Sequence, residues 1–281
     1  MLSYQHDFHA GNVADVMKHI TLIYLLDYLK KKENPIYFID THAGNGIYNI
    51  FSPHMQKNRE FEKGIFQLLE AKTHNRFLTR YIATVGLFND GNFKNYPGSP
   101  AIALTLLDAN DRVHLVEKHP TVARSLIGNL KKQKNIKIFQ GDYEDIIMSV
   151  LPPKERRGLV FIDPSYEIKK DYESIPQTIR AAYSKFQTGM FAIWYPLKDP
   201  QRVSFLIDLF KSLFECNILR LEYSFKSHAL ENEMYGTGMI ILNPPYTLEH
   251  DSCEYLNELV KLLNFTNGEY IVDWLHKSGG R

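Results

Sequence analysis

One stretch limits what this chain can fold into more than any other. Leu159-Val160-Phe161-Ile162 is fully apolar and ends abruptly in Asp163-Pro164-Ser165-Tyr166. A short apolar run rich in Val, Ile and Phe reads as a strand covered on both faces, the kind found inside a parallel α/β sheet. Open α/β sheets bind ligands in the crevice outside the carboxyl ends of their strands, so Asp163 falls where a ligand is expected. Pro164 fixes its own φ and removes one N–H. The result is a stiff loop that holds a carboxylate, a carbonyl and an aromatic face together. That group suits a flat ring bearing an amine, such as a nucleobase.

The 281 residues allow one large domain or a domain with an insert. With 44% hydrophobic and 23% charged residues, a packed globule is expected. The net charge of +1 gives a polyanion no global attraction. Contacts to nucleic acid must then come from local clusters such as Lys30-Lys31-Lys32, Lys131 to Lys137, Lys154 to Arg157, and Lys169-Lys170. Cys216 and Cys253 are far apart and lack metal spacing, which points to a reducing compartment. The N-terminus does not read as a signal peptide, and no apolar run approaches the ~20 residues that cross a bilayer. A cytoplasmic protein with no membrane contact is expected.

Residues 1–12 are polar and read as an extended arm or loop. Helical spacing follows from Val13 to Lys32, with Asn12 as a plausible N-cap. Ile36 to Asp40 is the first buried strand and runs into the glycine turn Thr41-His42-Ala43-Gly44-Asn45-Gly46. Residues 53–98 break the strand–helix rhythm and read as a helical insert. The rhythm resumes with strands at Val113–Glu117, Ile136–Phe139, Leu159–Ile162 and Met190–Pro196. Two more are expected at Asn217–Phe225 and Gly238–Leu242, then a helix at Leu256–Leu263. This alternation predicts a doubly wound, mostly parallel sheet of seven strands. The expected domains are 1–52 with 99–281, including the arm 1–12, and the insert 53–98.

The glycine turn alone does not identify its ligand, because dehydrogenases and methyltransferases both use one. A dinucleotide enzyme places its ribose-binding acid ~20 residues past the turn. Here the first strand-end acid after Gly46 is Glu117, and the full GxGxxG is absent. Acids commonly end strands as turn formers, but Asp40, Glu117, Asp142 and Asp163 close each of the first four strands in order. Acids lining one crevice suit a ligand with ribose hydroxyls, an adenine amine and a positive charge. S-adenosylmethionine carries all three.

The ordered motifs Asp40-Thr41-His42-Ala43-Gly44, Glu117, Gly141-Asp142 and Asp163-Pro164-Ser165-Tyr166 resemble those of class I methyltransferases acting on amino nitrogens. The resemblance becomes specific in the arm: Ser3-Tyr4, His6, Phe8-His9-Ala10-Gly11-Asn12, Ala14-Asp15-Val16 and Lys18-His19. With Tyr96-Pro97-Gly98-Ser99-Pro100 and Trp194-Tyr195-Pro196, the chain closely resembles the RlmJ family, bacterial methyltransferases of one adenine amine in large-subunit ribosomal RNA. It covers nearly the whole chain and is weakest across 53–90 and after 245.

The resemblance implies a Rossmann-like class I fold and N6-methylation of adenine 2030 in protein-free 23S rRNA. It also implies S-adenosylmethionine as donor, S-adenosylhomocysteine as product, a monomer and no metal. Asp163, Pro164 and Tyr166 would be catalytic, with Tyr166 stacking on the flipped base. Glu117 would hold the cofactor ribose and Asp142 its adenine amine. His19, His42 and Ser99 would contact the methionine end, with Lys18, Asp40, Gly44 and Tyr143 completing the cofactor site. Tyr4 and His6 would reach the substrate base. His6-x-x-His9 with His19 could suggest a metal, but no zinc-hydrolase spacing follows.

Ser165 departs from the family's Asp-Pro-Pro-Tyr clamp. It motivates a second reading, a catalytically weak or silent rRNA-binding or assembly factor. A third reading is an amino methyltransferase of DNA or protein. Asn243-Pro244-Pro245-Tyr246 matches such a clamp literally, but the strand before it is expected to be antiparallel, emptying at the edge away from the cofactor.

Overall fold

The computed structural model describes residues 6–130, 135–225, 233–263 and 268–277. A 3-10 turn at His6–Phe8 leads into α1 (Val13–Leu29). Asn12 caps α1: its side chain accepts the Asp15 N–H at 3.0 Å. Then come β1 (Tyr37–Asp40), β2 (Ile47–Asn49), α2 (Pro53–Asn58), α3 (Ile65–Glu70), α4 (Arg76–Gly86), β3 (Asn95–Pro97), α5 (Ser99–Leu106), β4 (Arg112–Glu117) and α6 (Pro120–Leu130). The second half runs β5 (Ile136–Gln140), α7 (Tyr143–Val150), β6 (Gly158–Ile162), α8 (Asp171–Lys185), β7 (Met190–Leu197) and α9 (Pro200–Leu213). It ends with β8 (Ile218–Ser224), β9 (Gly236–Leu242), α10 (Leu248–Leu262) and β10 (Glu269–His276).

The main sheet has the order β10-β8-β9-β7-β6-β1-β4-β5. The five strands from β7 to β5 run parallel, while β9, β8 and β10 pair antiparallel. Every residue of β1 and β6 is buried, as their unbroken apolar runs require. α1 is buried almost all round and packs against α4, α5, β6 and β9. This carries three of its polar residues, Asp15, Lys18 and His19, into the interior.

The sheet has eight strands where seven were expected. The extra one, β10, lies at the outer edge beside β8, and its first three residues are exposed. One-sided edge packing leaves it without the continuous apolar run that marks the central strands. β2 and β3 form a separate ribbon, each only three residues long, too short for a periodicity to register. α8 (Asp171–Lys185) carries Pro176 within its second turn. α10 begins eight residues ahead of the expected Leu256.

Residues 53–94 hold α2, α3 and α4, and this region grips the start of α1. Ile65 N–H donates to the Gly11 carbonyl at 2.9 Å. A side chain at Gly64 would meet that oxygen at 2.1 Å, so only glycine permits the approach. Glu60 accepts from the His9 ring at 2.9 Å and from the Asn12 amide at 2.9 Å.

Candidate active site

β1, β4 and β5 fill the sheet in one direction, and β6 then returns to the other flank of β1. This reversal opens a crevice at the carboxyl ends of β1 and β6, where doubly wound sheets bind ligands. A cavity of about 680 Å³ lies there. That is within the range of small-molecule sites.

Of the residues singled out from the sequence, His6, His19, His42, Gly44, Ser99 and Glu117 line the cavity. Asp142, Tyr143, Asp163 and Pro164 line it too. Three sit elsewhere. Asp40 is fully buried behind the wall, where it accepts the Ser99 hydroxyl at 2.6 Å and the His42 N–H at 3.1 Å. It orients two lining residues without facing the cavity. Burial pushes its carboxyl up to about 7. Lys18 also lies behind, and Tyr166 is turned away. Tyr4 lies outside the described residues.

The glycine turn is fixed by Glu117 at the end of β4. One carboxylate oxygen accepts the Gly44 N–H at 3.0 Å and the other the His119 N–H at 2.7 Å. Burial raises this carboxyl, and those N–H groups partly offset it. Gly44 has φ +59°, and a Cβ there would come within 2.3 Å of the Tyr48 hydroxyl. Asp142 immediately precedes α7 without a side-chain capping bond, and it pairs with exposed Lys118 at 2.6 Å.

His19 shares its Nδ1 with the Tyr96 hydroxyl at 2.8 Å, and Tyr96 contacts the Tyr81 hydroxyl at 3.1 Å. His42 shares its Nδ1 with Thr41 Oγ1 at 2.8 Å, and its ring packs 4.7 Å from that of Tyr143. Burial pulls both histidines down to about 3, so both face the cavity uncharged at neutral pH.

Asp163 follows the last residue of β6, and the Lys18 ammonium contacts it from behind. That ammonium also contacts Asp15 at 2.9 Å and lies 5.2 Å from the centre of the Trp194 ring. The Tyr166 ring is buried against Tyr172 and Trp194, with centroids 4.8 and 6.2 Å away. Its φ is +49°, and its hydroxyl meets no hydrogen-bond partner among the described residues.

The Asn243-Pro244-Pro245-Tyr246 sequence sits where the antiparallel argument put it. It follows β9, and the Asn243 amide donates to the carbonyls of Gln187 and Gly189, both at 2.8 Å, just ahead of β7. That is the amino end of the parallel strands. Tyr246 is 81% exposed there.

The sequence did not single out Tyr48, Lys118 or His119, and it named Asp15 only within the Ala14-Asp15-Val16 motif, with no role of its own. Tyr48, Lys118 and His119 line the cavity. Lys118 and His119 directly follow the strand-end acid Glu117, which was a usable signal. Asp15 lies three residues before Lys18 on one helix face, which was another. Among the described residues, no three His, Cys, Asp or Glu side chains are arranged to hold a metal, and no helix is long and apolar enough to cross a membrane.

The family described as Ribosomal RNA large subunit methyltransferase D, RlmJ, matches residues 33–276. The Haemophilus influenzae protein named Ribosomal RNA large subunit methyltransferase J is 38% identical over 98% of this chain and 99% of its own. The Escherichia coli protein of the same name is 36% identical over 98% and 99%. A crystal structure of protein LPL1258 from Legionella pneumophila superposes with a TM-score of 0.88 at 34% identity, covering 94% of this chain and 98% of that one.

Proposed function

The chain belongs to the RlmJ family of ribosomal RNA large subunit methyltransferases, and from that premise we propose that it methylates the exocyclic amine of adenine 2030 in protein-free 23S rRNA. The methyl donor is S-adenosylmethionine, and the product left behind is S-adenosylhomocysteine. The protein acts as a cytoplasmic monomer, on a base turned out of its stack. The methyltransferase body is 1–52 with 99–281, and 53–98 is its helical insert.

The observation that carries this reading is the strand-end carboxylate of Asp163 on the cavity wall, backed by Lys18 and followed by Pro164. The adenine amine is a weak nucleophile because its lone pair is delocalised into the ring. Asp163 and the Pro164 carbonyl accept its two N–H protons, which favours a localised lone pair aimed along one line. Orientation of this kind lowers a barrier by roughly 7–11 kcal/mol. Asp163 then takes the proton that the methylated nitrogen sheds. Tyr166 stacks on the base, and because its ring packs against Tyr172 and Trp194, this requires it to rotate toward the cavity. Tyr4 and His6 contact the substrate base.

The donor set fits S-adenosylmethionine. Glu117 and Asp142 offer acceptors for ribose hydroxyls and a purine amine, and neutral His19 and His42 with Ser99 offer polar contacts to an amino-acid end. Gly44 lets backbone approach closely, and Asp40 and Tyr143 hold the wall. When bound, S-adenosylmethionine supplies a methyl group on a positively charged sulfur.

The test is incubation with labelled S-adenosylmethionine and protein-free 23S rRNA, followed by digestion and mapping. One labelled N6-methyladenine at position 2030 is expected. Folded protein that labels no adenine amine overturns the proposal. DNA and glutamine peptides in the same reaction separate it from other amino methyltransferases.

A further inference from the structure

Asp15 lines no part of the cavity and is 1% exposed, yet four groups converge on it. Its Oδ2 accepts the Gly11 N–H at 2.9 Å and contacts His6 Nε2 at 3.1 Å. Its Oδ1 contacts the Lys18 ammonium at 2.9 Å, and Lys18 in turn contacts Asp163 Oδ2. Asn12 fixes its backbone N–H. The chain His6–Asp15–Lys18–Asp163 thus runs without a break from the arm, through the first turns of α1, to the end of β6. Burial works against the charge on Asp15, but Lys18 and then His6 outweigh it and hold the carboxyl well below the ordinary carboxylate range.

A buried ammonium facing a single carboxylate pairs with it fully and draws in whatever acceptor it has. Sharing the ammonium between two carboxylates fixes its position and leaves Asp163 more of its charge for the substrate. Asp15 also anchors His6, which lines the cavity.

We propose that Asp15 is a positioning residue for methyl transfer: it splits the Lys18 ammonium between itself and Asp163 and ties His6 of the arm to the same point. This rests on the methyltransferase reading above and deepens it. Asp15 touches neither base nor donor, so its loss should appear in turnover and not in binding.

The experiment compares wild type, Asp15→Asn, Lys18→Met and the double variant in steady-state transfer to 23S rRNA, with donor affinity by calorimetry and folding by thermal melt. Asp15→Asn should lower kcat about 100-fold, the scale of a small misplacement of reacting groups. KM for RNA and the donor Kd should stay within about threefold. The double variant should match Lys18→Met within about threefold, because coupled residues are not additive. If Asp15→Asn is unfolded, Asp15→Glu, which keeps the charge but moves it, should lose at least tenfold in kcat at unchanged KM. A folded Asp15 variant with wild-type kcat, or kcat losses that multiply in the double variant, overturns the inference. Wild-type protein that transfers no methyl overturns the parent reading instead.

Discussion

Lys18 and Asp163 stand 145 residues apart in the chain, yet the ammonium of one contacts the carboxylate of the other, with both side chains largely buried. Lys18 is 3% exposed and holds Asp15 as well. A buried charge stripped of its counterion is costly, about 3–5 kcal/mol. Lys18→Met leaves Asp15 and Asp163 facing each other without a cation between them. It should therefore lower unfolding free energy by about that amount, read by urea denaturation. A variant within 1 kcal/mol of wild type would show that the pair contributes no net stability.

Asp163→Asn separates chemistry from binding. The amide keeps the shape and one acceptor but cannot take a proton. Turnover on 23S rRNA should drop by roughly 100-fold or more, the usual contribution of a positioned base. Donor affinity, measured by calorimetry, should stay within about threefold, because Glu117 and Asp142 hold the donor in this reading. Equal loss of both quantities would mean that Asp163 serves binding.

Glu117→Gln makes the opposite separation. Both carboxylate oxygens accept backbone N–H groups, from Gly44 and His119. A glutamine presents an NH2 to one of those donors, which opens the glycine turn and removes an acceptor for ribose. Hydrogen bonds to a charged group are worth about 1.5–3 kcal/mol, so donor affinity should fall roughly 10- to 100-fold. Saturating donor should restore most of kcat. An unchanged Kd would place the ribose elsewhere.

How much of this could be read from the chain alone depends on distance. The strands ending in Asp40 and Asp163 were legible because burial on both faces demands an unbroken apolar run, and the one ending in Glu117 because His114 alone interrupts its apolar core. The Asn-Pro-Pro-Tyr decoy was separable because antiparallel pairing reverses which edge a strand end faces. The edge strand β10 and the ribbon of β2 and β3 were not legible, since one-sided or three-residue pairing leaves no such run. The convergence on Asp15 was invisible for another reason. Its partners come from the arm, from α1 and, through Lys18, from the end of β6, and no local period encodes their meeting. Tyr166 was legible as an aromatic at the clamp, but its inward packing depends on Tyr172 and Trp194.

His114 gives a stability effect away from the cavity. It is buried on β4, and its Nδ1 lies 2.8 Å from the Tyr37 hydroxyl. Burial, aided by Arg112 and Lys137, pulls its pKa from 6.5 down to about 4. Between those values the unfolded chain binds a proton that the folded chain refuses, so this residue's contribution to stability falls as pH drops from 6.5 to 4. His114→Asn removes that dependence. The stability gap between wild type and variant should shrink by on the order of 1–2 kcal/mol over this window, allowing for partial solvent screening. Denaturation at pH 7 and pH 4.5 checks it, and a constant gap would rule out His114 as the titrating group.

Tyr166 joins three features: a bulky side chain at φ +49°, a ring buried against Tyr172 and Trp194, and a hydroxyl with no partner among the described residues. A buried hydroxyl without a partner costs about 1–3 kcal/mol. Tyr166→Phe removes that cost and keeps the ring, so the variant should be as stable as wild type or about 1 kcal/mol more stable. It should also retain transfer within about threefold, because stacking uses the ring face and not the hydroxyl. Tyr166→Ala should lose about 3–5 kcal/mol of stability through the cavity it leaves. At a temperature where it remains folded, it should also raise KM for RNA, since base stacking is worth about 1–3 kcal/mol. If Tyr166→Phe abolishes transfer while melting normally, the hydroxyl bonds the substrate after the ring turns, and stacking alone does not describe the clamp.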